Sequence, residues 1–152
     1  MSDIVNIRLA NTQDITAMRR LLEQLFAIEQ DFVPDPEKQQ RGLALLLDST
    51  KSRIFVAEQA GRIVGMLTVQ LLISTAEGGT AGLVEDVVVD EAYRDRGIGK
   101  ALLQHLEAWA IQTGTTRLQL LADRNNHSAL GFYEKQGWSA TGLIGLRRFP
   151  AE

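Results

Sequence analysis

Val87-Val88-Val89-Asp90-Glu91-Ala92-Tyr93-Arg94-Asp95-Arg96-Gly97-Ile98-Gly99-Lys100-Ala101-Leu102-Leu103 decides how the chain folds. A β-branched apolar run passes into a charged turn, then into a helical pattern whose first turn holds two glycines. The first N–H groups of a helix lack an intrahelical partner, and the macrodipole adds roughly half a positive charge there. Such an end suits a phosphate. Gly97 and Gly99 carry no Cβ, so an anion can approach the backbone closely. Arg94, Arg96 and Lys100 add positive charge beside it. The competing reading is an ordinary strand–turn–helix joint with solvated basic residues. A dinucleotide fingerprint is excluded because Ala101 and Leu102 stand where a third glycine would follow. A P-loop is excluded because the loop is too short and no Ser or Thr follows Lys100.

The strand entering this turn, residues 82–90, is almost continuously apolar, which predicts cover on both faces. The helix leaving it, residues 98–112, shows an inner stripe of Leu102, Leu103, Leu106 and Ala110. Upstream, residues 4–9 alternate as a first strand, and Asn11-Thr12-Gln13-Asp14 is a helix-start signal. Ile15, Met18, Leu22, Leu25 and Phe26 then form one helical stripe ending near Gln30. Pro36 opens a second helix on which Leu43 to Leu47 supply an apolar patch. Residues 53–58 and 63–73 read as strands joined by a turn at residues 60–62. Downstream come a strand over 115–122, a short helix over 126–136 and an extended segment over 138–146. The alternation of strands with helices in the second half predicts a sheet that is at least partly parallel or mixed.

The 152 residues predict a single domain over 1–152 and a core that needs no disulfide or metal. With no cysteine, a disulfide framework, a thiolate zinc site and a cysteine nucleophile are all excluded. The two histidines, His105 and His127, make a metal site an unpromising reading. A net charge of -3 gives no basic footprint for nucleic acid. Met1-Ser2-Asp3-Ile4 lacks the basic start and apolar run of a signal peptide. No stretch reaches the roughly 18 apolar residues of a membrane span. The expectation is a cytoplasmic protein with no membrane or nucleic-acid partner.

Glu85-Asp86 interrupts the apolar strand, and charges there cost free energy unless they are partnered or used. Successive strand residues point to opposite faces, so the two carboxylates should not share one role. They read either as exposed charges paired with nearby basic residues or as functional groups. Tyr133 reads as a core aromatic beside Phe132 or as a proton donor, since a phenol with pKa of about 10 stays protonated at neutral pH. Trp109 reads as packing and His105 as a boundary residue. Glu29, Asp31, Asp35 and Glu37 flank the first inter-helix loop and read as solvated charges. Arg147-Arg148 reads as a solvated tail.

Arg94-Asp95-Arg96-Gly97-Ile98-Gly99 resembles the Arg/Gln-x-x-Gly-x-Gly/Ala signature of the GNAT (GCN5-related) N-acetyltransferases. Asn126-His127-Ser128-Ala129-Leu130-Gly131-Phe132-Tyr133-Glu134-Lys135-Gln136-Gly137-Trp138 is similar to that family's Asn-x-x-Ala-x-x-Phe-Tyr-x-x-x-Gly-Phe segment, with Trp138 for the commoner Phe. These motifs cover residues 82–138; the first half matches only in the order of its elements. The resemblance implies an α/β (α+β) fold, with a central mixed, mostly antiparallel sheet of about six to seven strands flanked by about four helices. It implies acetyl-CoA as cosubstrate, no metal, and direct acetyl transfer to a primary amine, with a lean toward the amine of a small molecule. A non-catalytic acyl-CoA-binding sensor and a protein N-acetyltransferase remain alternatives. A homodimer is compatible with the resemblance, though no sequence device requires one.

Residue by residue, the resemblance places the CoA diphosphate on Arg94, Asp95, Arg96, Gly97, Ile98 and Gly99, with Lys100 and Ala101 just beyond. It lays the pantetheine arm along Val87, Val88 and Val89. An N–H of Val87 or Val88 would polarise the thioester carbonyl. Asn126 would hydrogen-bond the CoA arm, and its other reading is a helix cap. Tyr133 would protonate the leaving thiolate. Glu85 resembles the proposed base of polyamine acetyltransferases.

Overall fold

The computed structural model describes residues 4–29 and 33–151. Gln30, the expected end of the first helix, and Asp31 lie outside them, as do Met1, Ser2 and Asp3. The described chain forms two compact units, one running to Leu120 and one starting at Leu121.

The first unit is built on a five-stranded sheet in the order β1-β2-β3-β4-β5. Its strands are β1 (Val5–Leu9), β2 (Ser52–Gln59), β3 (Arg62–Ser74), β4 (Gly79–Val89) and β5 (Arg117–Leu120). The first four are antiparallel neighbours and β5 joins β4 in parallel, so the sheet is mixed, as the sequence pattern requires. Helices α1 (Ile15–Ile28) and α2 (Pro36–Asp48) follow β1, and α3 (Ile98–Thr113) connects β4 to β5. A parallel neighbour needs such a crossover because a tight turn can only reverse the chain.

The first half of the chain shows how local chemistry sets the boundaries. Asn11 accepts the Gln13 N–H at 2.9 Å, and Asp14 accepts the Asn11 N–H at 2.9 Å, a reciprocal cap over a short 3-10 turn. Asp35 caps α2 from just ahead of Pro36, accepting the Lys38 N–H at 3.2 Å. One face of the sheet packs Ile54, Val56, Met66 and Val88 against Met18, Leu21 and Leu22 of α1 and Leu43 of α2. The other receives α3, which buries Ile98, Leu102, Leu103, Leu106 and Ala110, the stripe expected from the sequence. Gly65 lets α3 seat closely: a Cβ there would stand 3.1 Å from Leu102 and 3.2 Å from Ile98. Phe55 lies edge-on to His105 and Trp109 of α3, so both rings are packing groups.

The second unit holds α4 (His127–Lys135) and the segment after it. The sheet has five strands among the described residues, fewer than the resemblance implies. Residues 138–146, expected to be extended, carry no strand. Gly142 and Gly145 interrupt their apolar run, and glycine weakens a strand interior. Among the described residues, no helix is long and apolar enough to cross a membrane.

Arg8 ties β1 to the helical half. Its guanidinium grips both Asp14 oxygens, at 2.8 and 3.0 Å, and reaches Glu58 on β2 at 3.2 Å. The Arg8 hydrogen bond holds the Asp14 carboxyl below the usual carboxylate range, against the opposing effect of burial. A carboxyl depressed in the folded state adds stability above its unfolded pKa and loses it as pH falls through the folded value. Asp14→Ala is therefore expected to lower unfolding free energy by about 2 kcal/mol at neutral pH. Urea titrations should show the gap from wild type narrowing as the pH is taken below 4, roughly the ordinary aspartate pKa.

Candidate active site

The site begins where two strands stop pairing. β5 is hydrogen-bonded to β4 only from Ala81 to Val84. Beyond Val84, the edge of β4 that faced β5 has no strand partner among the described residues of this unit. Along residues 87–89, which stay paired with β3 on the other side, the backbone groups that point away from β3 thus lack a strand partner, and the Val89 carbonyl accepts from Arg94. An extended ligand carrying amides can add to such an edge as a strand would.

At the same point the β3–β4 ladder is interrupted. Thr68 pairs with Glu85 and Met66 with Val88, so Asp86 and Val87 together oppose Leu67. Two residues against one is a β-bulge. Asp86 sits at φ 55, a left-handed conformation that costs a non-glycine residue on the order of 1–2 kcal/mol, least for Asn and Asp. The bulge begins just after Glu85, and the Glu85 charge acts on Asp86. Glu85 is exposed and Asp86 is recessed. Burial first, then the Glu85 charge, push the Asp86 carboxyl up to about 6, while a hydrogen bond from Thr68 pulls the other way.

Beyond β4 the chain turns through a 3-10 turn (Glu91–Tyr93) capped by Asp90, which accepts the Ala92 N–H at 3.0 Å. Asp95 at φ 62 and Gly97 at φ 80 swing the chain into α3. The first backbone bond of α3 runs from the Ala101 N–H to the Gly97 carbonyl at 3.0 Å. The amides of Ile98, Gly99 and Lys100 therefore precede the helical ladder and remain available to an anion. No side chain caps this end, and nothing lies within 4 Å of where a Cβ on Gly97 would stand. The turn is braced from outside: Arg94 donates to the Val89 carbonyl at 3.2 Å, and the Arg96 guanidinium lies 5.0 Å from the centre of the Tyr93 ring. Arg62 approaches the same ring at 6.0 Å and pairs with Asp90 at 3.8 Å. A cavity of about 550 Å³ lies against the turn, lined among others by Arg20, Gln24, Ile28, Glu91 and Arg94. Gln24 spans its floor by accepting the Glu91 N–H at 3.0 Å.

In the second unit, Asn126 caps α4, accepting the Ala129 N–H at 3.1 Å. The capping reading of Asn126 is thus realised. Tyr133 is half-buried beside Phe132 and Trp138, with ring centres 5.3 and 6.0 Å away. The Trp138 N–H closes the helix end on the Tyr133 carbonyl at 3.0 Å.

The sequence profile of the Acetyltransferase (GNAT) family matches residues 17–138. The chain belongs to the GNAT family. A glucosamine 6-phosphate N-acetyltransferase of Trypanosoma brucei brucei is 37% identical over 90 residues, 59% of this chain and 59% of that protein. The chain thus matches a little over half the length of that relative. An uncharacterized N-acetyltransferase of Bacillus subtilis, YhfO, is 27% identical over 141 residues, 92% of this chain and 94% of that one. Among solved structures, an aminoglycoside acetyltransferase from an uncultured soil metagenomic sample, in complex with sisomicin, superposes with a TM-score of 0.78. It is 24% identical, with 97% of both chains covered, and shows the shared fold.

GNAT proteins use acetyl-CoA, and the α3 start has the open amides, the bare Gly97 and the flanking cations that a diphosphate needs. The structure brings Val87, Val88 and Val89 into one line leading to residues 94–101, and it sets Glu85 at the bulge. Thr68 escaped the sequence reading, because it sits inside an apolar strand with no pattern to mark it.

The raised Asp86 carboxyl carries a stability cost. A carboxyl whose folded pKa exceeds its unfolded value binds more protons when folded, so stability falls as pH rises between the two values. Here the window runs from 3.8 to about 6, and the cost is fully present above it. Asp86→Asn is expected to gain about 1–3 kcal/mol over wild type at pH 7.5 relative to their difference at pH 4. Paired denaturant titrations across that range would reveal an error of sign as a difference that is flat or shrinks with pH.

Proposed function

We propose that this chain is a cytoplasmic, single-domain, acetyl-CoA-dependent N-acetyltransferase acting on the primary amine of a small molecule by direct transfer. The observation that carries this reading is the continuous path from the free edge at residues 87–89 to the open amides at the start of α3. That path supports assigning a pantetheine arm to the strand edge and a diphosphate to the helix start. When bound, acetyl-CoA supplies an acetyl thioester.

The chain's own residues divide the remaining work. Amides at residues 97–101 bind the diphosphate, with Arg94, Arg96 and Lys100 adding charge. Backbone groups of Val87 to Val89 orient the arm, and the N–H of Val87 or Val88 is the donor assigned to the thioester carbonyl. Asn126 keeps its cap and is assigned a second hydrogen bond to the arm. An amine with pKa of about 10 must lose a proton before its lone pair can attack. Glu85, the residue the family resemblance points to, and its neighbour Asp86 draw in the ammonium, and a carboxylate of this pair takes that proton. Tyr133 gives a proton to the departing thiolate. Similarity to the trypanosomal glucosamine 6-phosphate N-acetyltransferase favours a small amine, an amino sugar among them, over a protein substrate.

A panel of amino sugars, polyamines, aminoglycosides and protein N-termini, incubated with acetyl-CoA and followed by free thiol, tests the assignment. Turnover is expected on at least one small amine. Coenzyme A that binds without turnover on any amine would leave the sensor reading instead. Tyr133→Phe should lower kcat by about 10²-fold. Its CoA affinity should stay within about twofold of wild type, since removing a transition-state donor leaves ground-state binding intact. Gly97→Val should weaken CoA about tenfold, by crowding the amides and straining a positive φ. Calorimetric titration with coenzyme A reads that loss directly.

A further inference from the structure

Thr68 is the one polar side chain of β3 that is fully buried, at 1% exposure, and it lies beside the bulge. Its Oγ1 is 3.1 Å from the Glu85 carbonyl oxygen and 3.2 Å from Asp86 Oδ2. A hydroxyl has one proton and two lone pairs, so it cannot donate to both oxygens at once. The two short contacts are both satisfied when Asp86 is a carboxylic acid. Its O–H then donates to Thr68 Oγ1, and the Thr68 proton goes to the Glu85 carbonyl. When Asp86 is ionised, rotation of the Thr68 hydroxyl brings its proton back to the carboxylate. Neither state requires a heavy atom to move.

We propose that Thr68 is a positioning residue for the transfer reaction, holding Asp86 at the bulge as the group on which the proton lost by the amine comes to rest. This rests on the acetyltransferase reading and refines it. The step balances simply: the ammonium and the Asp86 carboxylate become the neutral amine and the Asp86 carboxylic acid. The nitrogen recovers its lone pair, and the new O–H finds its acceptor already in place. Glu85 contributes charge: exposed on the strand, it attracts the cation and makes its recessed neighbour a stronger base. Asp86 faces Glu85 on its own strand and Thr68 from β3; among the described residues no cation of β3 or α1 is paired with it. A carboxyl raised to about 6 accepts a proton at neutral pH more readily than one at the ordinary value.

The test compares Thr68→Val, Thr68→Ser and Asp86→Asn with wild type. It reads kcat and KM from pH 5.5 to 9 on the best amine of the panel, with coenzyme A titrations beside them. Thr68→Val keeps the volume and removes the donor that stabilises the ionised carboxyl. Its acid limb should move to higher pH by about one unit, so that kcat falls roughly eightfold at pH 5.5 and by less than about twofold at pH 7.5. Thr68→Ser should restore both, and CoA affinity should change by less than about threefold in all three variants. Asp86→Asn should abolish the acid limb, and this arm decides the matter if Thr68→Val fails to fold. A wild-type profile in Thr68→Val, or an acid limb surviving in Asp86→Asn, overturns the proposal and leaves the acetyltransferase reading standing. A wild-type protein that binds coenzyme A and acetylates no amine overturns both.

Discussion

The four-residue limit on the pairing of β5 with β4 shapes everything around the site. A strand edge carries one donor and one acceptor for every second residue, and burying them unpaired costs more than most single contacts supply. By releasing β4 after Val84, the fold leaves a short row of such groups without a strand partner in this unit. The rest of the first unit keeps that row straight and fixed. β3 remains paired with β4 up to Val89, and α1 packs Met18, Leu21 and Leu22 beneath Val88. On the opposite face, Gly65 lets Ile98 and Leu102 draw α3 down onto the sheet. The start of α3 is thereby set at the end of the free edge.

The bulge follows from the same arrangement. Inserting one residue opposite Leu67 turns Asp86 into a left-handed conformation and brings its carboxyl to Thr68. Strain and desolvation are both unfavourable there, and neither helps the sheet. They are tolerated because the surrounding ladder is long and Thr68 gives the recessed carboxyl a partner. Local cost concentrated beside an open strand edge is what a working site requires and a purely structural strand avoids.

Much of this was legible in residue order because it is local. Asn11 and Asp14, Pro36 and Gly97 act within a few residues of themselves, so caps and helix starts could be read from spacing. The stripe on α3 and the mixed character of the sheet followed from periodicity and from the order of elements. The glycine signature likewise located the uncapped start of α3. What escaped depends on register between strands. Glu85 and Asp86 alternate on paper, and only the pairing of Thr68 with Glu85 and Met66 with Val88 shows the extra residue between them. The five-strand count escaped for a related reason: the apolar residues after Trp138 suggest a strand, but a strand needs a partner and an unbroken run.

The two carboxylates then divide naturally by environment. Solvent stabilises the charge of exposed Glu85, whereas Asp86 has traded much of that solvation for one hydroxyl. A charge that water supports attracts a cation without binding its proton tightly. A charge that water has partly abandoned gains by becoming neutral. On the proposed function, placing the second kind within the field of the first lets the pair draw in an ammonium and then remove a proton from it. The bulge then matters because it sets Asp86 against Thr68 while Glu85, one residue earlier, stays exposed.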